Sequence, residues 1–293
     1  MTLRKISRRS FCHASAGAGL LAVPDLLRGR APSDLTAREV VARIRKQVGV
    51  KWQTPTDDEF KFGDPDGDTT GITTTFMCTL DLLKRSLAAG NNFVITHEPT
   101  FWSDSEVPDL NNDPLYRKKL DFVARNKMIV WRFHSHWHTR KPDGILTGFN
   151  KAMGWESYAV PGKNFWPEYI VPETSFENLA RDMRAKLKIR SVRLVGDPKL
   201  KVTRVGHGIH GIETCMRVLP IVDVVVVFEC REWEAAEYVR DAIAAGYNKA
   251  LIQLPHEGGE EAGMDECARW LRMFVSEVPI KFIPSGDPFW MPV

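Results

Sequence analysis

The chain has 293 residues, 43% hydrophobic and 26% charged, with a formal net charge of +3 at pH 7. That length supports one large or two smaller domains with real cores, and the near-neutral balance argues against the basic footprint of a nucleic-acid binder. Five cysteines without a Cys-x-x-Cys pair argue against a structural zinc module, and a chain this long needs no disulfide framework.

The first segment reads as a targeting signal. Met1 to Arg9 carries four basic residues, an Ala/Gly-rich apolar stretch runs from Ala14 to Val23, and small residues return near Ala31. That order describes a secretory signal, and Ser7-Arg8-Arg9-Ser10-Phe11 resembles the twin-arginine type. The alternative is a disordered basic tail, and Pro24, Asp25 and Arg28 make an atypical cleavage end. The expectation is a signal over 1–33, export to the periplasm or beyond, and no stable membrane anchor, since the apolar run is too short to span a bilayer.

From about Asp34, helical and strand patterns alternate. Thr36 to Val48 has the spacing of an amphipathic helix stopped by Gly49, and "TLDLLKRSLAAG" that of a second stopped by Gly90. "NNFVIT" reads as a short buried strand, 114–126 as a helix, and "KMIVWRF" as the next strand. A turn-rich stretch from Gly154 to Pro172 looks like a domain junction, and Thr174-x-x-Glu177 suggests a capping box opening a helix to Leu187. Strands near 192–195 and 202–205, the strand "IVDVVVVF", a helix from Glu232 to Gly246, the strand "KALIQL" and a final helix from about Glu261 complete the pattern. Such alternation predicts an α/β fold. Its expected division is a metal-site domain of 34–160 plus 250–293 and a second domain of 161–249.

Ligands of α/β folds gather beyond the carboxyl ends of strands. "NNFVIT" ends in His97-Glu98, "KMIVWRF" runs into "HSHWH" and then Asp143, "IVDVVVVF" ends in Glu229, and "KALIQLP" ends in His256-Glu257 with Glu260 behind. Mixed nitrogen and oxygen donors of this kind suit Zn, Mn or Fe. Each also has a plainer reading: His97 as a hydrogen-bonded loop residue, Glu260 and Glu261 as carboxylates at a helix N-terminus, "GDPDGD" as a turn. The last lacks the Gly and terminal Glu of a calcium loop. "GHGIHG" lacks the Lys-Ser/Thr of a P-loop; it reads as a tight turn that leaves His207 and His210 near the site.

In order, "GDPDGDTTGITTTF…LDLLKRSLAAGNNFVITHEPTFW", "HTRKPDGILTGFN" and "HEGGE" resemble the Nif-three-like dinuclear metal-centre family, part of which carries a type-two GTP cyclohydrolase description. The resemblance implies two intertwined α/β domains with mixed sheets, a ring-shaped hexamer, and two divalent ions with a bridging water held by His97, Asp143, His256 and Glu260. Glu98 stands where the family has a second histidine, the stretch from His138 to Asp143 is one residue longer than the common form, and an expected aspartate near Met77 and Cys78 is missing. A guanine-nucleotide substrate is therefore not carried over.

In an extended strand Arg132, His134, His136 and His138 would share one face. On that reading His136 or His138 replaces the nitrogen lost at position 98, and His134 is left as a strand residue. The expected metal ligands are His97, Glu98, His138, Asp143, His256 and Glu260, two divalent ions of Zn, Mn or Fe type being the cofactors. Glu98, His136 and Glu257 are the unranked candidates for acid–base work. The expected function is metal-dependent hydrolysis of a small molecule; the alternative is a non-catalytic metal-binding or scaffold protein. A mononuclear zinc site on His134-x-His136 leaves His256 and Glu260 unexplained.

Overall fold

A computed structural model describes residues 35–103, 107–161 and 167–292. The signal expected over 1–33 lies outside them. Helix α1 (Ala37–Gln47) opens with a capping box, Thr36 Oγ1 accepting from the Glu39 amide and Glu39 from the Thr36 amide. It buries Ala37, Val40, Val41 and Ile44, spaced along one face; each larger aliphatic contributes roughly 1.5–3 kcal/mol. Strands β1 (Phe60–Phe62) and β2 (Ile72–Thr75) follow. Then come α2 (Leu80–Ala88), capped by Thr79, and β3 (Phe93–Thr96). Next are α3 (Pro114–Arg125), capped by Asp113, and β4 (Ile129–Arg132).

Beyond β4 the chain departs from the expected extended row. Ser135–Thr139 is a short helix, α4, with His134 at its N-cap. α5 (Gly144–Met153) begins at once, and Asp143 caps it by accepting from the Ile145 and Leu146 amides.

The second half supplies β5 (Glu168–Ser175), α6 (Phe176–Lys186), β6 (Arg193–Val195), β7 (Lys201–Ile209) and α7 (Ile212–Val218). After β8 (Val224–Val227) comes a π-helical turn, Glu232–Ala236, then α8 (Glu237–Ala244), where one continuous helix was expected. β9 (Ala250–Gln253), α9 (His256–Leu271) and β10 (Ile280–Phe282) end the fold. Two boundaries differ from expectation. Ser175 rather than Thr174 caps α6, its side chain accepting from the Asn178 amide, and α9 begins at His256 rather than near Glu261. Two glycines in "HEGGE" are poor helix formers, which hid the true start from propensity.

The strands form two mixed sheets, ordered β1-β4-β3-β2-β10 and β5-β7-β8-β9-β6. The inner strands β2, β3 and β4 pair in parallel, as do β7, β8 and β9. β2, β3, β4 and β8 are buried along their whole length, as parallel strands covered on both faces must be. The segment from 250, expected with the first domain, starts as a strand of the second sheet and only then returns to the first through α9 and β10.

α5 and α9 join the two halves. Ile145 belongs to the first core, whereas Phe149 and Met153 belong to the second. The helices touch at glycines: a Cβ on Gly148 would lie 2.2 Å from the Ala262 carbonyl oxygen, and one on Gly263 2.5 Å from the Ile145 Cα. Trp137 Nε1 donates to the Gly263 carbonyl, tying α4 to the same seam.

Candidate metal centre

The carboxyl ends of both parallel sets converge. β3 delivers His97 and Glu98, and β4 leads into His134 and α4. From the second sheet, β7 leads to His210, β8 to Glu229, and β9 to His256 at the start of α9.

Helical geometry splits the histidine row. His134 and His138, four residues apart, share one face and meet His97, with ring centroids 4.6 and 4.9 Å away. His136 turns the other way. Its Nδ1 lies 2.5 Å from Asp58 Oδ2, its Nε2 accepts from the Gln53 amide at 2.9 Å, and its ring stacks on Trp52 at 3.7 Å. It lines a separate cleft of about 270 Å³ with Gln53, Asp57 and Thr139. The expected exchange of roles is thus reversed: His134 joins the cluster, and His136 does not.

The tautomers follow from the outer hydrogen bonds. His97 Nδ1 faces the Phe133 carbonyl at 3.1 Å, which can only accept, so that nitrogen carries the proton. His138 Nδ1 faces Asp143 Oδ2 at 3.2 Å and His256 Nδ1 faces Glu229 Oε1 at 2.7 Å, with the same consequence. The three Nε2 atoms therefore point inward. His97 Nε2 lies 3.2 Å from His138 Nε2 and 3.2 Å from Glu260 Oε2, and His256 Nε2 lies 3.1 Å from the same oxygen. His256 Nε2 and Glu260 Oε2 are buried without a hydrogen-bond partner. This spacing also matches the edges of a coordination shell, where donors about 2.0–2.1 Å from an ion stand about 3.3 Å apart.

Two triads of donors share His97: His97, His134 and His138, and His97, Glu98 and Glu260. A third, His210, Glu229 and His256, lies toward solvent. Glu98 Oε1 stands 3.8 Å from His134 and 3.9 Å from His256, and Arg132 approaches its other oxygen at 3.6 Å while donating through Nε to the His97 carbonyl. The residues present thus fit a divalent cation. Asp143, expected as a ligand, stands behind His138 instead, with one oxygen on that ring and the other capping α5.

Charges are tuned by burial and by neighbours. Burial, with His97 and His138 close by, pushes His134 down to about 2, leaving a neutral imidazole. Burial would lower His256, but Glu229 and Glu260 outweigh it and raise the ring to about 10. Burial would raise Glu260, yet His210, His256 and His97 hold it well below the usual carboxylate range. Glu257, one residue along α9, is buried with Oε1 unpartnered, and burial pushes it up to about 7. It belongs to none of the donor triads.

Asp58 gave no signal in the sequence that tied it to the site, because the contacts that bring it there span 76 to 78 residues. Glu229 was legible as the residue after a buried strand, and His210 as a residue of "GHGIHG", expected near the site.

A family model described as Duf34/NIF3 (NGG1p interacting factor 3) matches residues 35–288. No curated protein matches the chain. Among solved structures, the hypothetical protein SA1388 of Staphylococcus aureus is 18% identical, with a TM-score of 0.71, over 89% of this chain and 100% of that one. A Bacillus cereus protein related to NIF3 is 12% identical, TM-score 0.70, over 88% and 100%. Reduced HcgD from Methanocaldococcus jannaschii is 15% identical, TM-score 0.62, over 85% and 97%. These likenesses concern the fold.

Proposed function

The chain belongs to the Duf34/NIF3 family, and from that premise we propose that it is a metal-dependent hydrolase acting on a small molecule. The carrying observation is the inward convergence of the His97 and His256 Nε2 atoms on Glu260, with His138 Nε2 3.2 Å from that of His97 and the three Nδ1 atoms each facing an outer acceptor. Two divalent ions of Zn, Mn or Fe type would be held by donors from His97, His134, His138, Glu98, His256 and Glu260. Bound there, they would lower the pKa of a coordinated water and polarise a carbonyl or phosphoryl oxygen of the substrate.

The chain's own residues do the rest. Asp143 and Glu229 hold the Nδ1 protons of His138 and His256 and so fix both rings. Arg132 offsets the charge of Glu98. Glu257, adjacent to His256 on α9, is the candidate acid–base group. Export through the N-terminal signal would place this activity in the periplasm or outside the cell, in a homo-oligomer that family analogy makes a hexamer.

Metal content of the purified protein, with His97→Ala and His256→Ala variants, tests the centre. Loss of metal in both is expected, and full retention in both would sink it. Phosphoesters, lactones and cyclic amides, offered to loaded and chelated protein, then test hydrolysis. Loaded protein that turns over none of them would leave a binding or scaffold protein of the same family.

A further inference from the structure

A five-residue helix has little stability of its own, yet α4 carries two of the inward-facing histidines, His134 and His138. Its N-cap residue, His134, makes no side-chain cap. The missing cap comes from Asp58, just before β1. Asp58 Oδ1 accepts from the His134 amide at 2.6 Å and the Ser135 amide at 2.9 Å, and Oδ2 accepts from the His136 amide at 2.8 Å. The same Oδ2 takes the His136 Nδ1 proton. Asp58 is 1% exposed, and these four partners engage both oxygens.

We infer that Asp58 is a positioning residue for the metal centre: it sets the rotation of α4, sending His136 outward and His134 and His138 inward. The inference rests on the metal-centre reading. Three first-turn amides that would otherwise need water are satisfied by one carboxylate, whose negative charge also faces the positive end of the turn. The side chain at i+2 is held as well, clamped by Asp58, the Gln53 amide and the Trp52 ring. In a helix, residues two apart point nearly opposite ways, so fixing His136 on the outer face fixes its neighbours on the inner one. Neighbouring backbone bonds brace the strap: Glu59 accepts from the Arg132 amide, and Arg132 in turn donates to the His97 carbonyl. Asp58 thereby acts on the centre through the backbone without being a ligand.

The test is Co²⁺ titration of the metal-free, full-length protein, read by its visible ligand-field bands, with amide hydrogen exchange on the same samples. Asp58→Ala is expected to bind Co²⁺ about 10- to 100-fold more weakly, to give bands of altered shape, and to exchange the His134, Ser135 and His136 amides faster. Asp58→Asn is isosteric but turns an N–H₂ toward donors, so it should move the same way and carries the test if Asp58→Ala does not fold. Glu59→Ala, an exposed neighbour whose carboxylate pairs with Lys61 and whose backbone bond to Arg132 is kept, should change neither readout. A folded Asp58 variant with wild-type affinity, band shape and exchange overturns the inference. Wild-type protein that takes up no Co²⁺ overturns the metal-centre reading instead, while faster exchange in the variant still shows Asp58 setting the helix.

Discussion

The Nε2 atoms of His97 and His138 lie 3.2 Å apart, although 41 residues separate the two in the chain. Both rings carry their Nδ1 protons outward, to the Phe133 carbonyl and to Asp143. Two inward lone pairs at that distance repel unless a proton or a metal ion stands between them. The pair therefore suits either a shared proton or a bound cation.

That relationship separates the three histidines of α4. His134→Ala and His138→Ala should each lower the metal bound per chain, measured by atomic emission after dialysis. His136→Phe should keep full stoichiometry at saturating metal. It should lose stability by about 1–3 kcal/mol in denaturant unfolding, because Asp58 and the Gln53 amide each lose a partner. Metal loss in His136→Phe alone would restore the strand-like assignment.

His207 predicts a pH dependence. The ring is buried among Phe149, Tyr169 and Phe228 with neither nitrogen partnered, and burial pushes it down to about 3. The unfolded chain would protonate it near its ordinary 6.5, so between these values the unfolded state binds more protons. Its contribution is complete above about 6.5 and is lost as pH falls through that window. At pH 4.5 the loss is about 2–3 kcal/mol by the usual conversion. Unfolding free energies at pH 7 and 4.5 for wild type and His207→Phe check this: the drop should be smaller in the variant by that amount, and equal drops would refute it.

Gly148 tests the seam between α5 and α9. A methyl group added there would sit 2.2 Å from the Ala262 carbonyl oxygen, so Gly148→Ala must push backbone from backbone. A loss of about 1–3 kcal/mol is expected, together with weaker metal binding, since α9 carries His256 and Glu260. Thermal melts and metal titration would register both effects. Unchanged melting would mean that the helices part without cost.

Lys119 tests the loop that follows Glu98. It is 2% exposed and donates to the Cys78 and Thr100 carbonyls, with Phe101 and Trp102 rings each 5.2 Å from its nitrogen. Lys119→Met keeps the length but orphans two carbonyls, at about 1–3 kcal/mol each. Denaturant unfolding should show that loss, and a variant as stable as wild type would count against the clamp.

Much of the scaffold was legible because its signals are local. The buried runs of β3, β4, β8 and β9 stand out by hydrophobicity, and Thr36 and Gly49 mark the ends of α1 through side-chain and backbone chemistry within four residues. The polar residues after those strands, His97, Glu98, Glu229 and His256, were legible for the same reason. "HSHWH" was misread because alternation suits a strand, and the carboxylate that makes it a helix comes from Asp58, 76 residues upstream of His134.

The order of strands and helices, the donor types and their places beyond strand ends are properties of neighbouring residues, and the sequence alone determined them. Tertiary structure decided which nitrogen faces which oxygen. Asp143 lies against His138 and caps α5, while His134 turned inward and His136 outward on partners from other segments of the chain. A side chain's donor type is written in the residue, but its direction is set by helix rotation and by a distant hydrogen bond.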